Sequence, residues 1–274
     1  MKNYIHGYWV LDEAIETSLF EWYKYMGGSP IVKLYEDSHV TWVSTGVLHP
    51  FMNGVFCTQL PRDTDTIDKM IENVTTHFRS RPVPFMWWTT QSVELEVRLE
   101  THGLIYPGET PGMAVDLQVL HEDVSPPAHF TVEIVHDHET VKQWVQTLMC
   151  GFHIPEKSEQ VCIDLFASLG FDLPLRNYVG MLHGKTVAIS SLFLGGGVAG
   201  IYCVTTLPEV RRQGIGSLMT LIPLRDAYDL GYRIGVLQSS DLGFGVYRNL
   251  GFQKYCSLRS RVWEEENAQD CFNI

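Results

Sequence analysis

The chain has 274 residues, 45% of them hydrophobic and 19% charged, the profile of a globular protein with one large domain or two modest ones. Its 20 Lys/Arg against 32 Asp/Glu give a formal charge of −12, with no basic run. That excludes a role coating nucleic acid, because phosphate contact needs a basic face. No apolar stretch approaches the roughly 18 to 20 residues that span a bilayer, so no membrane role is expected.

The opening "MKNYIHGYWVLDEAIE" has little positive charge and does not read as a secretory signal. Six cysteines (Cys57, Cys150, Cys162, Cys203, Cys256 and Cys271) form no CxxC and no metal-ligand spacing. They read as reduced thiols, and the expectation is a cytoplasmic protein without a metal.

In chain order, "LDEAIETSLFEWYKYMGG" predicts a helix stopped by glycine. "PIVKLYE", "HVTWVST" and "NGVFCTQL" predict strands, "DTIDKMIENVTTHF" a helix and "PFMWWTT" another strand. "SVELEVRLETHG" is open: its strict alternation favours a strand and its neighbours favour a helix, which is the expectation taken. "HEDVSPPAHF" (121–130), with paired prolines, reads as a linker. Beyond it come a strand at "FTVEIVH" and helices at "HETVKQWVQTLMCGF" and "EQVCIDLFASL". Strands follow through "RNYVGMLHGKTVAISSLFLGGGVAGIYCVTT", broken by His-Gly and a triple glycine. "GSLMTLIPLRDAYDLG" predicts a helix up to Gly231 with a bend at Pro223. "RIGVLQSS" is a strand, "DLGFGVYRNLG" a short helix, "FQKYCSLRSRVW" the last strand region, and "EEENAQD" a solvated acidic tail.

The two sides of the linker can be laid on each other. "TQLP" (Thr58–Pro61) matches "TTLP" (Thr205–Pro208), and "LETHGL" (Leu99–Leu104) matches "YRNLGF" (Tyr247–Phe252), at nearly equal separations. The copies diverge immediately after the proline. After Pro208 comes "EVRRQGIGS"; after Pro61 comes "RDTDTIDKM", which has no glycine and three aspartates that would repel an anion.

A loop that receives a pyrophosphate needs backbone N–H groups converging on one space, which glycine permits. A following helix adds its unpaired N-terminal N–H groups and the positive end of its dipole. Arg211 and Arg212 bring charge and Ser217 a hydroxyl, so 211–217 reads as a phosphate cradle between strand and helix. The alternative is a glycine-containing turn before a core helix. A Walker loop is excluded because no lysine comes after the glycines, and the dinucleotide fingerprint fails at Met219, where its third glycine would stand.

Arg211-Arg212-Gln213-Gly214-Ile215-Gly216 resembles the [R/Q]-x-x-G-x-[G/A] signature of the GNAT superfamily of acyl-CoA-dependent N-acyltransferases. Tyr247-Arg248-Asn249-Leu250-Gly251-Phe252 resembles the family's second element, Y-x-x-x-G-F. The likeness covers roughly residues 130–263, with the N-terminal half looking like a degenerate copy. It implies an α/β fold: a mixed, mostly antiparallel GNAT-type sheet flanked by helices, present as two tandem halves, 1–125 and 126–274.

The resemblance further implies that the backbone of Val204, Thr205 and Thr206 pairs with the pantetheine arm of acetyl-CoA as an added strand would. Arg211, Arg212, Gln213, Gly214, Ile215, Gly216 and Ser217 would hold the pyrophosphate. Ser240 stands where many relatives carry asparagine and would donate to the pantetheine. A backbone N–H near Val204 would serve the oxyanion. Tyr247 would protonate the departing thiolate, or else be a core aromatic.

The implied activity is transfer of an acetyl group from acetyl-CoA to a primary amine, on a small molecule or a protein, with the N-terminal half shaping the acceptor pocket. A non-catalytic acyl-CoA-binding regulator is the rival reading. No general base is assigned; Glu209 at the loop entrance reads as solvent-facing. His136 and His138 read as capping or surface groups, and a metal role lacks a third ligand. Trp87 and Trp88 either line an acceptor pocket where the halves meet or pack in the core. Tyr202, two residues before Val204, is expected on the same strand face and so at the border of the acceptor site.

Overall fold

The computed structural model describes residues 11–89 and 92–264. The N-terminal ten residues, Thr90 of the predicted "PFMWWTT" strand, and the acidic tail beyond Glu264, with Cys271, lie outside them. Among the described residues, no helix is long and apolar enough to cross a membrane.

The helices are α1 (Leu11–Met26), α2 (Thr64–Arg79), α3 (Val93–Thr101), α4 (His138–Phe152), α5 (Glu159–Ser168), α6 (Ile215–Asp229) and α7 (Asp241–Asn249). The strands are β1 (Lys33–Glu36), β2 (Val40–Ser44), β3 (Gly54–Cys57), β4 (Phe85–Thr89), β5 (Thr110–Asp116), β6 (Phe130–Ile134), β7 (Leu175–Leu182), β8 (Lys185–Gly195), β9 (Val198–Thr206), β10 (Ile234–Gln238) and β11 (Gln253–Trp263). The ambiguous "SVELEVRLETHG" is helical as α3. Ser92 caps it, accepting from Leu95 N, and Leu95 and Leu99 bury on one face. A single helix, α6, runs through Pro223.

The strand with no counterpart in the sequence pattern is β5, "TPGMAVD". Pro111 and Gly112 read as a turn and hide it. Gly112 is required by close approach: a Cβ there would run into Cys256 Sγ and meet Ile15 Cγ2 at 3.1 Å.

The chain forms two compact units. One gathers 1–22, 110–147 and 171–257; the other gathers 23–109, 148–170 and 258–274. The expected boundary at 125/126 thus falls inside a segment that the first unit holds whole. The reason is strand exchange. In the first unit β6, β7, β8 and β9 pair antiparallel in succession and β9 pairs parallel with β10. β10 then takes as its antiparallel neighbour β5, a strand that precedes the linker. In the second unit β1, β2 and β3 pair antiparallel, β3 pairs parallel with β4, and β4 takes the end of β11 as its antiparallel neighbour. The strand–helix–strand crossovers β3–α2–β4 and β9–α6–β10 carry the duplicated "TQLP" and "TTLP" stretches, so the repeat holds at the level of elements while the closing strands are traded.

The "linker" is held down in the first unit. His121 N donates to Leu250 O at 3.1 Å, and Arg225 pairs with Glu122 at 2.8 Å. The first unit's core is Met113, Val115, Tyr178, Leu192, Ile201, Ile215, Met219, Leu224 and their neighbours; the second unit's is built on Val55, Ile71, Phe78, Phe85, Trp87 and Leu99.

The β2–β3 connection of the second unit is organised by one amide. Asn53, fully buried, accepts from Thr45 N (2.9 Å) and Thr45 Oγ1 (3.2 Å), and its Nδ2 donates to Val47 O (2.8 Å), His49 O (3.1 Å) and Pro84 O (2.9 Å). Replacing Asn53 with Ala strips partners from several buried backbone groups at once. The expected loss is on the order of 3 to 4 kcal/mol in urea unfolding. Asn53→Asp is expected to cost nearly as much, because it keeps the acceptor for Thr45 but turns a carboxylate oxygen toward three carbonyls. A change below about 1 kcal/mol for either variant would mean that the loop does not depend on this amide.

Candidate functional site

The site grows from a break in the first unit's sheet. Along β8 and β9 the register runs Ala188↔Thr206 and Ile189↔Thr205, then resumes at Ser191↔Tyr202. Ser190 therefore opposes two residues, Cys203 and Val204, and Cys203 takes up the extra length with φ +54°. This is a β-bulge, and bulges bend the strand that carries them. Parallel pairing with β10 covers only Ala199↔Gly235, Gly200↔Val236 and Ile201↔Leu237. β9 runs on to Thr206 while β10 stops at Gln238, so past Ile201 one backbone edge of β9 has no strand paired to it among the described residues. Val204, Thr205 and Thr206, the expected pantetheine-pairing residues, all lie on this stretch.

The bulge corrects one expectation. Tyr202 and Val204 do not share a face, because the extra residue reverses the alternation. Val204 packs with Ile201 against the α6 core. Tyr202 is buried against α1: its ring stacks on Trp22 at 4.8 Å and its hydroxyl bonds Ser18 Oγ at 2.9 Å. Burial pushes its phenol well above the ordinary tyrosine range. It is a core residue.

β9 leads through the short turn Pro208–Val210 into the cradle sequence. Arg211, Arg212 and Gln213 are exposed; Gly214, Gly216 and Ser217 are half-buried; Ile215 is buried in the core and anchors the first turn of α6. Gly214 is the N-cap, with φ +78° and no side-chain cap. The leading N–H groups of α6 are therefore not taken by a side chain, and Arg212 at φ +66° helps turn the chain across them. Arg211 Nε donates to Thr206 O at 3.0 Å, which fixes the guanidinium at the open end of β9 and leaves its terminal nitrogens without a protein partner among the described residues.

The corresponding place in the second unit is closed. Asp63 caps α2, accepting from Thr66 N at 2.9 Å and Thr66 Oγ1 at 2.8 Å, and Asp65 adds charge to the first turn. The Thr66 bonds hold the Asp63 carboxyl below its ordinary value. There β3 and β4 stay paired through Phe56↔Trp88, one residue short of the end of each strand.

Ser240 is the N-cap of α7, accepting from Gly243 N at 3.2 Å. Capping uses an acceptor site of the oxygen and leaves the hydroxyl proton for another partner. Tyr247 lies on α7 with its ring buried in the first unit's core, 5.9 Å from Phe252 in an edge-on contact and packed on Gly243. Burial pushes its phenol above the ordinary tyrosine range, so it is protonated at any working pH.

Other sequence candidates fall to structural roles. Trp87 and Trp88 are both buried, and Trp88 Nε1 reaches Tyr23 Oη at 3.5 Å. Asp137, between the two histidines, caps α4 by accepting from Thr140 N at 2.8 Å; His136 is exposed and bonds Ile134 O through Nδ1. No group of three or more metal-binding side chains occurs among the described residues. Glu209 is exposed. The bulge at Cys203 carried no sequence signal.

Several solved structures are similar to this chain over most of its length. A GCN5-related N-acetyltransferase from Kribbella flavida is similar over 94% of this chain and 98% of its own, with TM-score 0.69 and 17% identity. A GCN5-related N-acetyltransferase from Sphaerobacter thermophilus is similar over 83% of this chain and 81% of its own, with TM-score 0.61 and 16% identity. A tandem GNAT protein from the clavulanic acid biosynthesis pathway covers 91% of this chain and 95% of its own, with TM-score 0.57 and 12% identity. The chain has the tandem GNAT fold. No family model and no curated protein matches its sequence. Residues 204–206, 211–217, Ser240 and Tyr247 all belong to the first unit.

The two cradle glycines are expected to behave differently. Alanine at Gly214 must adopt a left-handed backbone and would meet Val124 Cγ1 at 3.3 Å. The expected cost is about 1 to 2 kcal/mol in urea unfolding. Alanine at Gly216 meets only Thr206 Oγ1, at an ordinary 3.6 Å, and gains helix propensity, so stability should hold or rise. Equal losses in both variants would contradict the backbone assigned to this loop.

Proposed function

We propose that the protein transfers an acetyl group from acetyl-CoA to a primary amine, with the first unit holding the donor. The observation that carries this reading is the uncapped, glycine-led N-terminus of α6 at the end of a strand whose edge is free beyond Ile201. The N–H groups of 214–217 and the charge of Arg211 and Arg212 suit a pyrophosphate. The free edge of Val204 to Thr206 suits the two amides of a pantetheine arm.

In this reading the amine nitrogen attacks the thioester carbon and forms the C–N bond. A backbone N–H at the Cys203–Val204 bulge supports the oxyanion, whose negative charge develops only in the transition state. The C–S bond then breaks, the Tyr247 phenol gives its proton to the departing thiolate and regains one from solvent, and the proton lost by the amine goes to solvent. Burial keeps the phenol protonated, so it does not act as the base. Ser240 retains a hydroxyl proton for the pantetheine while capping α7.

A second reading, a regulator that binds acyl-CoA without turnover, is favoured by the packing of the Tyr247 ring in the core. Measuring thiol release from acetyl-CoA with a panel of primary amines separates the two. Release above the rate without amine supports the transferase; saturable CoA binding with no release by any amine supports the regulator.

Arg211→Ala is expected to raise the dissociation constant for CoA at low salt roughly ten- to a hundredfold, the worth of a charge-assisted phosphate bond. An unchanged constant would remove Arg211 from the cradle.

Tyr247→Phe keeps the ring, so the melting temperature and CoA affinity should barely move. Turnover should fall about 10²- to 10⁴-fold. Full activity would leave Tyr247 as a packing residue only.

A further inference from the structure

At one edge of the first unit's sheet two histidines face each other across neighbouring strands. His129 immediately precedes β6 and His183 immediately follows β7, and the terminal register pair of those strands is Phe130↔Leu182. His183 N donates to His129 O at 3.2 Å, so the antiparallel pattern runs one pair beyond the strands. Side chains directly opposite on such a pair lie close enough to meet. These two do: their ring centroids are 4.9 Å apart, with 38° between the ring planes. Both residues are exposed, and neither ring has a hydrogen bond or ion pair among the described residues.

The backbone fixes both positions. His183 and Gly184, at φ +51° and +74°, make the two-residue turn from β7 to β8. Such a turn needs left-handed backbone at both central residues and is ordinarily Asn-Gly, Asp-Gly or Gly-Gly. His129 is left-handed as well, at φ +63°. Asparagine or glycine would serve either backbone at least as well; what histidine adds is a ring nitrogen that can bind a metal ion. Two imidazole nitrogens on one metal ion, each about 2.0 to 2.1 Å from it, set their ring centroids about 5 Å apart when the nitrogen–metal–nitrogen angle lies between square and tetrahedral. The observed separation fits that geometry. Imidazole suits nickel, copper and zinc, whereas calcium and magnesium take oxygen ligands.

We propose that His129 and His183 form a two-imidazole surface site for a divalent first-row transition metal ion (nickel, copper or zinc) whose remaining positions are taken by water. A bound ion clips the start of β6 to the β7–β8 turn. Both residues belong to the first unit and neither to the cradle, so the proposal is independent of acyl transfer.

The test is a calorimetric titration of the untagged full chain with Ni²⁺ at a mildly alkaline pH, where protons compete little for imidazole. It is repeated with His129→Asn, His183→Asn and the double variant. Asparagine tolerates the left-handed backbone, so these variants are expected to fold; glycine, which adopts it more readily, replaces asparagine wherever one does not. Saturable Ni²⁺ binding is expected, weakened in each single variant by at least the roughly tenfold that losing a mere supporting group costs a metal site. The double variant should lose little more than either single one, because both rings act on the same ion. Excess Ni²⁺ should raise the melting temperature of the unsubstituted protein more than that of any variant. An absence of saturable binding, undiminished binding by the variants, or a loss confined to one of the two single variants would overturn the proposal.

Discussion

Parallel pairing between β9 and β10 stops after three register pairs, and the chemistry proposed for this protein depends on that stop. A strand edge inside a sheet normally has its N–H and C=O groups paired, because leaving them buried without partners is costly. The bulge at Cys203 lies on the same stretch of β9, and bulges bend the strand that carries them. The same bulge decides which side chains face which way. It sends Val204 to the α6 core and Tyr202 to α1, where the ring stacks on Trp22.

The two units share a plan and differ in how they treat a helix N-terminus. α2 is capped by Asp63 and carries Asp65 in its first turn; α6 begins at a left-handed glycine with no side-chain cap. A carboxylate at an N-cap stabilises the helix by satisfying N–H groups that an anion would otherwise use. In the second unit the cap serves the fold. In the first it is omitted, and the N–H groups remain on offer. Strand exchange bears on the same comparison: β5 closes the first sheet beside β10, and β11 closes the second beside β4. Each unit therefore contains sequence from both sides of the linker, and the degenerate half supplies a closing strand to the unit that holds the cradle.

Much of the fold was legible because its signals are local. Short runs rich in apolar, β-branched and aromatic residues marked β2, β4 and β8, helical spacing marked α2, α4 and α5, and "RRQGIGS" placed a glycine at the start of a helix. Serine and aspartate caps at α2, α3 and α7 also lie within three residues of what they cap. The miss was β5, where Pro111 and Gly112 mimic a turn because the reason for the glycine, the nearness of Cys256 and Ile15, is remote in sequence.

The sequence by itself determined the class of fold, its duplication, the acidic surface that argues against nucleic acid, and the contrast between one glycine-led loop and its aspartate-rich copy. Those are matters of residue type and short spacing. Only the tertiary structure decided that the closing strands are traded, that Cys203 breaks the register of β9, and that Tyr247 is buried in the core. Each depends on which distant residues come together, and on whether water is excluded when they do, which no local pattern encodes.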